Sequence, residues 1–180
     1  MEAYKIIAPK GVTPEQYLDA LAEADGLDSL GKRVYADHLI KTPGKERAAL
    51  YDAFGLTGTG LDSVRNLTDD QAAVAFACEN MGISQPSREI LDGYKLVSDR
   101  GVTVDQYAKA VGDLSQIRSL KSAAGKTITN SSSLQKRAYI DSIITDSTVR
   151  KQFYDLFDVS KTVQSMSEAE VYSTLNRYLQ

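Results

Sequence analysis

Apolar residues recur at intervals of three and four through most of the chain, which is the spacing of one face of an α-helix. The first such stripe holds Tyr17, Leu18, Leu21 and Ala24. Further stripes predict helices at about 32–41, 45–54, 68–82 and 167–179. The apolar–polar alternation of a strand is absent, apart from a short approach to it at 126–129. The pattern predicts an all-α protein.

Local signals mark where these helices begin. Thr13 with Gln16 has the spacing of a capping box, and Thr103 with Gln106 has the same spacing. A glycine stands two residues before each threonine, where it can end the preceding segment in the left-handed conformation. On the predicted helices at 32–41 and 167–179, we expect Leu39 and Leu179 to face the core.

These paired signals belong to a longer internal repeat. Residues 4–17 read YKIIAPKGVTPEQY and residues 94–107 read YKLVSDRGVTVDQY, an offset of 90. Residues 32–40, KRVYADHLI, match residues 136–144, KRAYIDSII, at an offset of 104. Because the offset grows between the two matches, the second copy contains an insertion.

Two later matches keep the same order along the chain. RAALYDAF at 47–54 matches RKQFYDLF at 150–157, and NLTDDQ at 66–71 more weakly resembles SMSEAE at 165–170. A repeat sets the unit of folding, so it has to be identified before the fold. Four ordered matches predict an ancestral helical unit that was duplicated.

The predicted architecture is two tandem helical units of about five helices each, related by internal duplication. We place the first unit at 1–82, a linker at 83–87 and the second unit at 88–180. The insertion in the second unit lies around 115–135.

Composition is that of a folded chain, with 42% hydrophobic and 25% charged residues among 180. Residues 1–90 hold 9 Lys and Arg against 14 Asp and Glu, a balance of −5, whereas residues 91–180 hold 12 against 10, a balance of +2. An anion-binding face is therefore expected in the second half. No basic-then-apolar leader or long apolar run is present, so we expect a cytoplasmic or virion location and no membrane contact.

Two stretches resemble known binding loops but lack the required residues. A calcium loop counted over 25–36 would have Leu27, Leu30 and Ala36 where an oxygen ligand, a glycine and a bidentate glutamate are needed. The Gly-Lys-Thr at 125–127 ends like a nucleotide-binding loop, but leucine replaces the first glycine of that motif. We therefore predict no metal ligands and no cofactor.

The residues for nucleophilic catalysis are also few. Cys78, the single cysteine, lies on an apolar helix stripe, and the single histidine, His38, has no counterpart in the second unit. One cysteine also excludes an internal disulfide. Asp37 and Asp141 recur in both units, as do Asp52 and Asp155, and are expected as helix-surface ion pairs or caps. We predict no catalytic residues and no enzyme activity.

The insertion carries a cluster of cations around a hydroxyl-rich run, TITNSSS at 127–133. Basic side chains beside hydroxyl groups can hold phosphate oxygens, although the aromatic side chains that would stack on bases are absent. A solvated loop is the other interpretation of this region. The candidate anion or nucleic-acid contacts are Arg118, Lys121, Lys126, Lys136 and Arg137.

The order G-V-T-x-x-Q-Y, K-R-x-Y-x-D-x-x-I and R-x-x-x-Y-D-x-F resembles an EF-hand-like helical repeat of phage and prophage proteins. Such units occur in virion-associated chains of tape-measure-like, internal or portal-proximal type. The resemblance spans 4–54 and 94–157, and the calcium-binding acid is missing here. It implies a virion structural or protein-interaction segment with a protein partner or self-assembly. The alternative is nucleic-acid or phosphate contact through the basic insertion.

Overall fold

A computed structural model describes residues 2–58 and 63–179, and this part of the chain is all-helical, as predicted. It contains no β-strand, only an isolated antiparallel bridge between Lys121 and Thr127. The α-helices are α1 (Glu2–Ile7), α2 (Pro14–Asp25), α3 (Ser29–Leu39), α4 (Lys45–Ala53), α5 (Asp69–Asn80), α6 (Arg88–Asp92), α7 (Val104–Gln116), α8 (Ser131–Ile143), α9 (Ser147–Leu156), α10 (Lys161–Gln164) and α11 (Glu168–Tyr178).

The predicted capping boxes are confirmed at the starts of α2 and α7. The Thr13 hydroxyl accepts from the backbone N–H of Gln16 at 3.2 Å, and the Gln16 side chain accepts from the Thr13 N–H at 3.0 Å. Thr103 forms the same reciprocal pair. Gly11 and Gly101 have φ angles of 85° and 80°, so both occupy the left-handed region that glycine tolerates best.

Two clusters of buried apolar residues form the interior. The first lies among α1–α4 and contains Tyr17, Leu50 and Phe54. The second lies among α5–α11, with Leu30 of α3 joining it. Because α5 packs along both α7 and α3, it connects the first half of the chain to the second.

The helix α5 is buried on two sides, unlike α11 at the end of the chain. Val74 and Cys78 of α5 belong to the same core as Ala108 and Val111 of α7. The positions equivalent to Ala108 and Gly112 on α2 are exposed, since α5 covers α7 and no described helix covers that side of α2.

Several inward positions predicted from periodicity are wrong, and Met81 and Tyr178 are among them at 45% and 38% exposed. Leu18, Leu39 and Leu179 are 63%, 44% and 72% exposed. Leu18 lies on the uncovered side of α2, and Leu179 follows the last turn of α11. Periodicity locates the apolar face of a helix, but it does not say whether another helix covers that face.

Replacing Gly93 with alanine should destabilise the protein by about 1–3 kcal/mol, because the added carbon overpacks the core. It would lie 2.4 Å from the Tyr107 hydroxyl oxygen and 2.5 Å from a methyl of Leu156. The control Gly26→Ala has no neighbour closer than 3.8 Å and should change stability by less than about 0.5 kcal/mol. Urea unfolding of both variants checks this, and equal losses would contradict it.

Candidate functional site

A buried cluster of opposite charges joins α3, α4 and the first turn of α5. Arg33 pairs with Asp37 and with Asp69, each at 2.9 Å. Arg47 pairs with Asp69 at 2.6 Å and with Asp37 at 3.3 Å, and the Tyr51 hydroxyl donates to Asp37. The Arg47 guanidinium holds the pKa of Asp69 below its usual value. Two cations meet two carboxylates here, so the cluster is neutral.

A related cluster lies between α8 and α9. Arg137 stands 3.4 Å from Asp141, Arg150 stands 3.8 Å from the same carboxylate, and the Tyr154 hydroxyl donates to it. The position that corresponds to Asp69 holds Glu168, which is exposed and forms no ion pair with a described residue. Two cations therefore share one carboxylate in the second half.

The expectation that Asp37 and Asp141 form surface ion pairs is wrong, because their side chains are only 16% and 1% exposed. They neutralise arginines inside the fold, which gives them a structural role. Asp52 and Asp155 do form the expected surface pairs, with Arg65 and Lys161 respectively.

An apolar pocket of about 350 Å³ opens between α2, α3 and α4, and we call it the first pocket. Leu39 stands at its edge with its side chain partly in solvent. The lining consists of Ile7, Val12, Gln16, Tyr17, Asp19, Ala20, Tyr35, Leu39, Ile40 and Leu50.

A second pocket, also of about 350 Å³, opens between α7, α8 and α9. Ile143, 48% exposed, holds the edge position that Leu39 holds in the first. The lining consists of Val97, Val102, Gln106, Tyr107, Lys109, Ala110, Tyr139, Ile143, Ile144 and Phe153.

The two linings correspond residue by residue along the repeat. Positions from α1 and α2 recur at an offset of 90, those from α3 at 104, and Leu50 recurs as Phe153 at 103. Eight of the ten pairs keep their apolar, aromatic or amide character with small changes of size. The single change of charge is Asp19 in the first pocket to Lys109 in the second.

Two tyrosines line each pocket, and one of the two is fixed by a carboxylate on the facing helix. The Tyr35 hydroxyl donates to Glu23, and the Tyr139 hydroxyl donates to Asp113 at 2.7 Å. Burial, followed by this hydrogen bond, raises the pKa of each tyrosine to about 12. Both rings are therefore neutral at physiological pH and held in place, which gives each pocket one rigid aromatic wall.

A larger pocket of about 480 Å³ lies beside the segment 82–87. Its two cations already bind backbone carbonyls, since Lys136 donates to the carbonyl of Phe157 at 2.8 Å and Arg118 donates to the carbonyl of Ile117 at 3.2 Å. These bonds stabilise the surrounding loops. The apolar twin pockets are the better candidates for a binding site.

The five predicted anion contacts do not form one exposed face. Arg137 is buried and donates to the carbonyl of Val163, so it is unavailable to a ligand. Lys136 and Arg118 are engaged with carbonyls as described above. Lys121 and Lys126 are exposed on a tight turn, where the Ser122 N–H donates to the carbonyl of Lys126 at 2.8 Å.

The structure separates the environments of Cys78 and His38. Cys78 is fully buried against α7, and burial raises the pKa of its thiol to about 11. His38 is exposed on α3. Among the described residues, no group of three or more His, Cys, Asp and Glu side chains is placed to hold a metal ion.

Cys78 should react slowly with a disulfide reagent at pH 8 in the native protein. With a thiol pKa of about 11 only about 0.1% is thiolate, and the thiolate is the reactive species. We expect modification at least about 100-fold slower than in 6 M guanidinium chloride, where burial is lost. A fast native reaction followed at 412 nm would contradict this and indicate an activated thiol.

Comparison with known proteins gives no relative: no family model, no curated protein and no solved structure matches the chain. In the part of the chain that the structure describes, no helix has the length and apolar character needed to cross a bilayer.

Sequence reasoning did not identify the pockets, although their signal lies in the repeat. Tyr17, Tyr35 and Ile40 recur as Tyr107, Tyr139 and Ile144, but recurrence fits core packing as well as it fits a pocket. The exposed edge residues Leu39 and Ile143 would have distinguished a pocket from a closed core, but exposure is a tertiary property.

Proposed function

We propose that the chain is a non-enzymatic docking module made of two copies of one helical unit, and that it serves as a structural or protein-interaction segment of a phage or prophage virion. The observation that carries the docking role is the pair of apolar pockets with ten corresponding lining positions. The virion assignment rests on the resemblance of the repeated motifs.

Matched contacts of two leading tyrosines, Tyr4 and Tyr94, also support a duplicated unit. Tyr4 and Tyr17 pack with ring centres 5.4 Å apart, and Tyr94 and Tyr107 pack at 5.5 Å. Each leading tyrosine donates to a valine carbonyl eight residues on, at 3.4 and 3.1 Å. Separate sequences would not be expected to repeat such long-range contacts, so a common ancestor at 1–82 and 88–180 is the simplest origin.

The chemistry of the pockets favours docking over catalysis. The exposed side chains of Leu39 and Ile143 add apolar surface to the pocket edges, and burying that surface under a partner would be favourable. Burying one such side chain contributes about 1.5–3 kcal/mol, and two pockets on one chain add their effects if a partner reaches both. Helical repeats commonly expose surfaces of this kind for binding.

The test is the protein content of purified particles from the strain that carries the coding sequence. Mass spectrometry should detect the chain in the particles, and Leu39→Ser with Ile143→Ser should lower its content at least fivefold. Tyr172→Ser, an equally exposed site on α11 outside the pockets, is the matched control and should incorporate normally. Absence of the chain from particles, or normal incorporation of the pocket variants, would contradict the proposal.

A second candidate function is anion or nucleic-acid contact through the turn at 121–126. It is favoured by Lys121 and Lys126, which are exposed and form no ion pair with a described residue. Titration with duplex and single-stranded DNA at low and high salt tests it. Binding that weakens with salt and is lost in Lys121→Ala/Lys126→Ala would support it, and no binding at low salt would remove it.

A further inference from the structure

The two pockets differ in the charge along their helical edges. On α2, Glu15, Asp19 and Glu23 follow one another at intervals of four residues, and Asp19 lines the first pocket. None of the three forms an ion pair with a described residue. A ladder of three carboxylates without cations therefore borders the first pocket.

On α7 the same three positions hold an alternating pattern. Lys109 replaces the central acid and pairs with Asp113 at 2.7 Å, with Asp105 one turn before it. Like charges four residues apart destabilise a helix, whereas opposite charges at that spacing stabilise it. Since the fold accommodates lysine at this position in α7, folding does not require the acid at Asp19.

We infer that the first pocket binds an amphipathic helix of a partner protein, which inserts one bulky aliphatic side chain and carries Lys or Arg one turn to either side of it. This inference rests on the proposed docking function. Cations four residues to either side of the inserted side chain lie about 12 Å apart, which matches the separation of Glu15 and Glu23 on α2. A helix lying in a groove is an established mode of peptide recognition.

The size of the pocket fits this occupant. A volume of about 350 Å³ lies at the lower end of the range of about 300–1,000 Å³ for ligand pockets, which suits one or two inserted side chains. The fixed Tyr35 ring and the exposed Leu39 side chain supply apolar surface for the inserted side chain. The three carboxylates on α2 attract the cations that flank it. Charge complementarity of this kind sets partner choice and the rate of association.

A second copy of the chain is a weaker candidate for the same surface. The exposed apolar stripe of α11 holds Tyr172 and Leu179, and Glu168 lies one turn before Tyr172 on that stripe. Docking it against Glu15 and Asp19 would bring like charges together. An acidic partner helix is disfavoured for the same reason.

The test is calorimetric titration of the intact chain with two synthetic helical peptides that share their leucine positions and differ only in Lys or Glu flanks. At low salt the Lys peptide should bind one site, and the Glu peptide should bind at least tenfold more weakly. Asp19→Lys, which places the residue of α7 at the matching position of α2, should weaken binding of the Lys peptide at least tenfold. Lys109→Asp, which gives the second pocket the acid found at Asp19, should raise the number of Lys peptides bound per chain from one to two.

Both exchanges lie on exposed helix surface, and circular dichroism checks that each variant remains folded. Leu39→Ser keeps every charge and should still weaken binding of the Lys peptide at least fivefold. This result would distinguish docking in the pocket from general attraction to an acidic protein. Equal binding of the two peptides, unchanged binding by Asp19→Lys, or an unchanged stoichiometry in Lys109→Asp would overturn the inference. Self-association that depends on Leu39 would overturn the choice of partner.

Failure of this inference is distinguishable from failure of the docking function. If the Lys peptide does not bind while Leu39→Ser still lowers particle content, the partner chemistry is wrong and docking stands. If neither peptide binding nor particle content responds to Leu39→Ser, the docking function and the inferred partner are both wrong.

Discussion

Replacing Asp141 with alanine should destabilise the protein by about 3–5 kcal/mol, the usual loss when one partner of a buried ion pair is removed. The change leaves Arg137 inside the fold with no carboxylate of a described residue within 4 Å, while the Val163 carbonyl still accepts from its guanidinium. It also removes the acceptor of the Tyr154 hydroxyl. A buried cation that has lost its counter-ion keeps most of its desolvation penalty.

The corresponding change in the first half, Asp37→Ala, should be less severe. Asp69 remains within 2.9 Å of Arg33 and 2.6 Å of Arg47, so both cations keep a carboxylate. We expect a loss smaller by at least about 1 kcal/mol, the scale of one charged hydrogen bond. Asp37 and Asp141, which match in the sequence repeat, thus differ in effect because of one residue on the neighbouring helix.

Guanidinium chloride unfolding of the two variants measures this difference. Asp155→Ala is the control, since Asp155 pairs with Lys161 at the surface and its loss should leave the unfolding midpoint nearly unchanged. The double variant Asp37→Ala/Asp69→Ala should lose as much free energy of unfolding as Asp141→Ala does. Equal losses for Asp37→Ala and Asp141→Ala would show that Asp69 does not compensate.

A fragment that begins at residue 64 should fold cooperatively, whereas one that begins at residue 88 should not. The difference is α5, which contributes Val74, Ala75 and Cys78 to the core of the second half. Removing it exposes the faces of α7 at Ala108 and Val111. Each lost apolar side chain contributes about 1–3 kcal/mol, and total stabilities are only about 5–15 kcal/mol.

Thermal unfolding followed by circular dichroism and one-dimensional proton NMR distinguishes the two fragments. The fragment 64–180 should show a cooperative transition and dispersed methyl signals, and 88–180 should show neither. If 88–180 unfolds as cooperatively as 64–180, α5 is dispensable and the predicted unit boundary at 82 also bounds an independent core.

The helices and their ends were predictable because their causes are local. A threonine three residues before a glutamine forms its capping box whatever the rest of the chain does, and Gly11 ends its segment because only glycine readily adopts its φ of 85°. The all-α class follows from the same short-range pattern.

Features that depend on distant helices were not predictable. Leu18 and Ala108 occupy matching positions, yet one is 63% exposed and the other 0%, because α5 covers only α7. Arg137 looks like a surface cation in sequence and is buried, because α9 and α10 close over it. Spacing along one helix carries no information about which neighbour packs on it.

Site-specific photo-crosslinking in purified particles tests docking through the twin pockets most directly. Leu39 and, separately, Ile143 are replaced by p-benzoylphenylalanine, with the same replacement at Tyr172 as the reference. We expect crosslinks to a particle protein from positions 39 and 143 and few from 172. Crosslinks from all three positions at one frequency, or none from 39 and 143, would contradict the proposed docking through the pockets.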